Sequence, residues 1–485
     1  MSHSASLYWH DYETFGLNPK TDRIAQFAGI RTDMDLNIIG KPLVIYNRAC
    51  NDMLPNPDAC LVTGITPQKT ITEGLIETEF MAAIHAEFSR PNTCVLGYNN
   101  IRFDDEFTRY GLYRNFFDPY AREWQNSCSR WDIIDMVRMM RALRPEGIHW
   151  PVDADGVAVN KLELITQLNG ISHESAHDAL SDVYATIALA KLIRDKQPRL
   201  YDYIFQHKDK HQAAKLLNLS KKTPLLHTSG MIHSQYCNTA MIAPLAAHPT
   251  NKNAIIVYDL RYDPSALIEL DANSIKKYLY TAKDELPEGM ERIALKAIHI
   301  NKCPVIAPMN TLNEAAAGRL DIDIQLHNKH LATILNAVGL TEKIQAVFKD
   351  TEYEAITDPD QSLYSGGFFS NDDRNRMQTI RSTPADKLNQ LELNFDDNRL
   401  DEMLFRFRAR NYPHTLADIE QKIWHKYRKD KLTRENNGSS ITLSEYINKI
   451  DNLLNNCDLS AQQRNTLNDL KAYGVDIGNS LGISN

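Results

Sequence analysis

Leu7-Tyr8-Trp9-His10-Asp11-Tyr12-Glu13-Thr14 is an apolar run that ends in two carboxylates. Read as a strand, its side chains alternate, so Asp11 and Glu13 project from the same face. Two carboxylates that close repel each other, and folding alone gives little reason to place them there. A divalent cation between them removes the repulsion, and hard oxygen ligands suit magnesium or manganese. Taken alone, the pair reads more simply as a solvated strand end. Acidic and histidine positions further along raise the metal reading.

Outward from this strand, residues 7–192 alternate between short strands and helices. Residues 23–31 and 42–48 read as strands, 63–67 as a turn and 75–88 as an amphipathic helix. Residues 93–98 (TCVLGY) are nearly continuous in apolar character, hence a buried strand. An Asn-rich turn follows, then a helix to residue 114. Further helices are expected at 132–143, 161–168 and 178–193. Strands first, then mixed elements, predict an α/β domain with a mixed sheet.

Near Gln197-Pro198 the texture changes. Residues 194–222 hold eight Lys or Arg against three Asp, with Tyr201, Tyr203 and Phe205 interleaved. They read as a solvated basic face or a guide for a polyanion. Short β-like runs (AIIVYDL, ALKAIHI) then predict a β-rich domain, and from residue 352 onward amphipathic helices dominate. A chain of 485 residues is too long for one ordinary core, so two or three domains are expected.

Composition bounds the function. Hydrophobic residues make up 43% and charged residues 24%, as in a soluble globular protein. The sequence shows neither a membrane-length apolar run nor a signal-peptide pattern. Seven scattered cysteines, an odd number without C-x-x-C, fit reduced thiols in a cytoplasm. A net charge of −8 argues mildly against a nonspecific nucleic-acid coat but leaves room for a local basic channel.

Three positions extend the acidic pair. Asp104 follows the 93–98 strand and its turn, so it can reach the sheet edge where α/β sites gather. Asp105 and Glu106 share that helix start, where any acid is favoured. His177 and Asp182 lie in H-D-A-L-S-D at the head of the last helix. Asp182 stands among Ala, Leu, Val and Tyr, where a charge needs a partner.

The order D-x-E-T, N-x-x-x-F-D and H-D-A-x-x-D resembles the DEDD exonucleases of the histidine subtype. HDYETFG, LGYNNIRFDDE, SRWDIIDMVR, AHDALSDVYATIA, GGFFSNDDR and FRARNYP are similar to the bacterial exodeoxyribonuclease I family, across nearly the whole chain. Residue by residue, the resemblance implies that Asp11, Glu13, Asp104 and Asp182 hold two Mg2+ ions, with Mn2+ able to substitute. It makes His177 the general base and puts Glu13 also at the terminal 3′ hydroxyl. Where the family's substrate site implies an arginine before Leu162, this chain has Lys161, which keeps the charge but loses the bidentate fork.

A basic-aromatic stretch from Arg109 to Arg138 suits a single-stranded nucleic acid, with bases on rings and cations on phosphates. Arg109, Tyr120, Trp124, Arg138 and Lys161 are the expected contacts, whereas Phe116, Phe117 and Trp131 are expected in the core. The resemblance further implies an RNase H-like exonuclease domain (7–192), an SH3-like β-rich domain (198–350) and a C-terminal α-helical domain (354–485). Together they would enclose a groove. The implied activity is 3′–5′ degradation of single-stranded DNA to 5′ mononucleotides in DNA repair and recombination. The implied setting is a cytoplasmic monomer, off the membrane, that binds single-stranded-DNA-binding protein. Alternatives are a 3′–5′ exoribonuclease of the same superfamily and an inert DNA-binding scaffold.

Overall fold

The computed structural model describes residues 4–172, 178–282, 285–287, 292–349 and 356–483. The chain forms two compact units. The first joins Met1–Ser129, Glu174–Tyr184 and Glu354–Asn485; the second joins Arg130–His173 and Ala185–Tyr353. The segments expected as first and third domains therefore contribute to one unit.

In the first unit, β1 (Ser6–Thr14) pairs antiparallel with β2 (Ile24–Thr32), which pairs antiparallel with β3 (Ile38–Tyr46). On its other side β1 runs parallel to β4 (Thr93–Gly97), so the sheet is mixed. The parallel register runs only from Ser6–Thr93 to Trp9–Leu96. Beyond it, Asp11 and Glu13 continue past the end of β4, at the carboxyl-end edge. One sheet face carries Tyr8 and Tyr12 against Phe27, Phe80, Phe88 and Phe107.

Two short helices that the sequence reading did not assign, Pro57–Thr63 and Pro67–Glu73, flank the expected turn. Their ends are set by local chemistry. Asn56 and Thr66 cap them, proline occupies each first turn, and Gly64 closes the first at φ +68°.

The helices after residue 356 share cores with this sheet region. Met53, Leu54 and Cys60 cluster with Leu432, Tyr446, Leu467 and Leu470, while Tyr110, Tyr113 and Phe116 cluster with Met377, Leu400 and Phe407. Charged groups are buried there too. Asp52 accepts from Arg410 Nε and Nη2 at 3.0 and 2.9 Å and from Lys431 Nζ at 3.0 Å. Burial alone would raise the Asp52 carboxyl; Arg410 and Lys431 outweigh it and hold it well below the usual range. Arg406 reaches Asp358 and Asp360, and Arg408 reaches Glu420. FRARNYP thus supplies internal ion pairs rather than a basic surface.

In the second unit, β6 (Leu225–Thr228), β7 (Thr239–Ala247), β8 (Ala254–Asp259), β9 (Leu295–His299) and β10 (Val305–Pro308) form one antiparallel sheet. Its order is β10-β6-β7-β8-β9. The unit begins within β5 (Ser129–Asp132). Leu225, Ala240, Ile242, Val257, Ile298 and Ile306 build its core. Trp131 is buried, with Tyr201 and Phe205 edge-on at 5.6 and 5.1 Å. Among the described residues, no helix is long and apolar enough to cross a membrane.

Candidate active site

Asp11, Glu13 and Asp182 come together, with one carboxylate oxygen of each within 4.8 Å of the others. Strand alternation delivers the first two, and a register shift between Glu13 and Thr14 locally re-aims the strand end. Asp182 comes from the first turn of the Ala179–Lys196 helix, where Asp178 accepts from the Ser181 amide.

Between the two strand acids, Tyr12 turns to the opposite face. Its hydroxyl pairs with Thr108 Oγ1 at 2.8 Å, and its amide donates to Asp104 Oδ1 at 3.2 Å. Asp104 opens the Asp104–Arg114 helix after a turn in which Asn100 Oδ1 accepts from the Gly97 amide. That carboxylate is buried beside the Asp11–Tyr12–Glu13 backbone but lies outside the three-acid group. Gly97 is required here, since a Cβ would lie 2.7 Å from the His10 carbonyl. His177 falls outside the described residues.

The electrostatics favour a cation. Burial, then the charge of Asp182, raises the Asp11 carboxyl well above its usual range. Burial, then Asp11, Asp182 and Asp178, push Glu13 up to about 9. Three carboxylates that destabilise one another's charge, all offering hard oxygens, suit a divalent cation. His10, though adjacent, has a different environment. It is buried among Tyr12, Phe27 and Phe88, pairs with the Leu96 carbonyl through Nδ1, and is pushed down to about 4 by burial.

The expected nucleic-acid contacts divide. Arg109 is buried, with its guanidinium taken up by both Glu123 oxygens, Glu106 and the Tyr364 hydroxyl. Arg114 and Arg122 are likewise committed, to Glu77 and Asp105. Phe116, Phe117 and Trp131 are core, as expected. Trp124 is exposed, and Tyr120 is half-buried with Arg109 over its ring. In the second unit, Arg138 and Lys161 line one open cavity of about 580 Å3 with Asn160, Asn238 and the 230–234 turn. Arg138 also pairs with Asp135 at 2.6 Å. The segment 362–369, whose Gly-Gly-Phe-Phe reads in the sequence as a joint between the second and third regions, brings Tyr364 to Arg109, and neither Tyr364 nor Phe368 is among the expected contacts.

Known families match three successive stretches. Residues 8–190 match an exonuclease family, 208–350 the exonuclease I SH3-like domain, and 357–477 the exonuclease I C-terminal domain. The chain is 51% identical over 430 residues to exodeoxyribonuclease I of Haemophilus influenzae, covering 88% of this chain and 91% of that protein. A moderately thermophilic exonuclease I from Methylocaldum szegediense superposes with a TM-score of 0.94 at 49% identity, covering 99% of this chain and all of that one. The zinc-bound form of an Escherichia coli exonuclease I–single-stranded DNA complex gives 0.93 at 44% identity, covering 98% and 100%. With these domains in this order and identity sustained along the chain, the protein belongs to the exodeoxyribonuclease I family.

Proposed function

We propose that the protein degrades single-stranded DNA from its 3′ end to 5′ mononucleotides, in the cytoplasm, in DNA repair and recombination. The carboxylate group of Asp11, Glu13 and Asp182 carries this reading, standing in a chain that matches its family from the exonuclease domain to the C-terminal domain. Asp11, Glu13 and Asp182 would hold two Mg2+ ions, with Asp104 as a fourth ligand and Mn2+ able to substitute. Bound there, divalent cations lower the pKa of a water and stabilise charge on the departing oxygen.

The residues do the rest. Asp11, on the strand end tied to Asp104 through the Tyr12 amide, would be the ligand most costly to lose. Glu13 also contacts the terminal 3′ hydroxyl, which restricts attack to a strand end. His177, the first residue of H-D-A-L-S-D, takes the proton of the attacking water on a neutral ring nitrogen. The new bond joins water oxygen to phosphorus. The bond that breaks joins phosphorus to the 3′ oxygen of the shortened strand, so the phosphate leaves on the 5′ side of the released nucleotide. Arg138, Lys161, Tyr120, Trp124 and Arg109 belong to the substrate-binding set, Arg109 by holding Tyr120 and Tyr364 in place. The domain division is 7–192, 198–350 and 354–485, and single-stranded-DNA-binding protein is a partner of the monomer.

The test is degradation of 3′- and 5′-labelled DNA and RNA, with and without chelator. Chelator-sensitive loss of the 3′ label from DNA supports the reading. Attack from the 5′ end, survival in EDTA, or preference for RNA overturns it. His177→Ala should slow the chemical step by about two to four orders of magnitude while sparing metal binding. Metal loss as severe as in Asp11→Ala would make His177 a ligand instead.

A further inference from the structure

Tyr12 stands between the two strand acids, yet its side chain turns away from them into the core. It is buried, clusters with Phe80 and Phe107, and sets its ring 5.4 Å from that of Phe27. Phenylalanine would fill this apolar space equally well and bury no hydroxyl. A buried hydroxyl is costly unless it is hydrogen-bonded, so the oxygen needs a reason other than packing.

Its partner is Thr108 Oγ1, at 2.8 Å. Thr108 lies fully buried on the Asp104–Arg114 helix and gives its own proton to the Asp104 carbonyl at 2.9 Å. A hydroxyl has one proton to give, so the phenol is the donor of the 2.8 Å bond. From its main chain Tyr12 reaches the same aspartate again, its amide donating to Asp104 Oδ1 at 3.2 Å. One strand residue therefore grips Asp104 twice, at the carboxylate directly and at the carbonyl through Thr108.

The helix start has need of such a grip. Phe103, at the cap position, supplies no side-chain bond, and the turn before it passes through Asn99 at φ +66°. The Asn100 carbonyl takes the amides of Phe103 and Asp105, but neither bond touches the Asp104 carboxylate. Helix ends without side-chain caps fray, and Asp104 is the first residue of this one.

We propose that Tyr12 and Thr108 are positioning residues for the metal site: their hydroxyl relay holds Asp104 beside Asp11 and Glu13 and so sets the affinity for a divalent cation. The inference rests on the metal reading above and adds to it two buried, uncharged side chains. Groups that fix the orientation of a ligand raise affinity without touching the ion, because the ligand has less freedom left to lose on binding.

The experiment titrates full-length protein with Mn2+ in the absence of nucleic acid and reads the free ion by electron paramagnetic resonance. Asp11→Ala defines the part of the signal that belongs to the site. Tyr12→Phe and Thr108→Val each remove one oxygen at nearly constant shape, and each should weaken Asp11-dependent binding about tenfold. The double variant should bind no more weakly than either single one, because the two oxygens form one relay. Thr108→Ser keeps the hydroxyl and loses only a methyl group, so it should bind as wild type does. A role in packing alone reverses that order, with Thr108→Val benign and Thr108→Ser impaired. Such a reversal overturns the proposal, as does weakening of less than about threefold in Tyr12→Phe, or single effects that simply add in the double variant. A wild type without Asp11-dependent Mn2+ binding refutes the metal reading and the relay with it, whereas normal binding in every relay variant refutes the relay alone.

Discussion

Replacing Asp52 with asparagine keeps the side-chain shape and removes one buried negative charge. In the native protein that charge faces Arg410 and Lys431, each about 3 Å away. At that separation and an effective dielectric near 20, each pair attracts by about 5 kcal/mol before desolvation is subtracted. Arg410 keeps a second acidic partner, Asp360 at 2.6 Å. Lys431 loses the carboxylate it is paired with, although its side chain is only 5% exposed. Stranding a buried charge in this way costs about 3–5 kcal/mol. The prediction is a fall of that size in the urea midpoint, converted at constant slope, for the transition of the unit that contains residues 1–129 and 354–485. Asp52→Asn/Lys431→Met, which removes both charges, should be more stable than Asp52→Asn alone. The sign with pH follows from the depressed Asp52 carboxyl. Its contribution is complete above the unfolded value near 4 and disappears as pH falls through the folded one, so the difference from the variant should shrink only in strong acid. A loss below about 1 kcal/mol, or a double variant weaker than the single, would refute the reasoning.

Glu13 and Asp11 have folded pKa values raised above their unfolded ones, so without metal the unfolded state releases protons first and stability falls as pH rises from about 4 towards 9. Thermal midpoints in chelator should decline across that window; Mg2+ should flatten the slope, and Glu13→Gln should reduce it. Gly97→Ala forces a Cβ against the His10 carbonyl where β1 and β4 part, with an expected loss of about 1–3 kcal/mol by urea unfolding and a drop in turnover. Lys161→Arg adds a planar fork at the cavity shared with Arg138, and KM for single-stranded DNA should fall by up to about tenfold. An unchanged or higher KM would show that Lys161 does not touch phosphate.

Some of this was readable from residues alone because it depends on local geometry. Strand alternation suffices to put Asp11 and Glu13 on one face, and helical spacing suffices to expect Asp182 near the head of a helix, about one and a half turns in; the structure has it in the first turn. The stretch from Arg109 to Arg122 read as a basic-aromatic surface because its partners are remote or change role on folding. Glu77 lies 37 residues from Arg114, and Tyr364 lies 255 from Arg109. Arg122 finds Asp105, an acid that reads as an ordinary helix start. Arg406 and Arg410 look like a basic helix in sequence, yet Asp358, Asp360 and Asp52 neutralise them in the interior. Charge in a sequence says nothing about which charges fold onto one another. The short helices after Asn56 and Thr66 went unassigned because each is about two turns long, below the length at which periodicity is visible.

The shared unit of Met1–Ser129 and Glu354–Asn485 has a consequence for synthesis. On a ribosome the sheet that carries Asp11 and Glu13 emerges first, but Met53, Leu54 and Asp52 cannot find Leu467, Tyr446 or Lys431 until the last third of the chain is made. At about 5–20 residues per second, that interval is tens of seconds. A nascent or prematurely terminated chain would hold its acidic strand in an unfinished scaffold. Protease sensitivity of residues 50–60 in ribosome-arrested chains ending near 350, lost on completion, would reveal the delay. A degradative enzyme assembled this way completes the unit around its acidic strand only after the Glu354–Asn485 segment has been made.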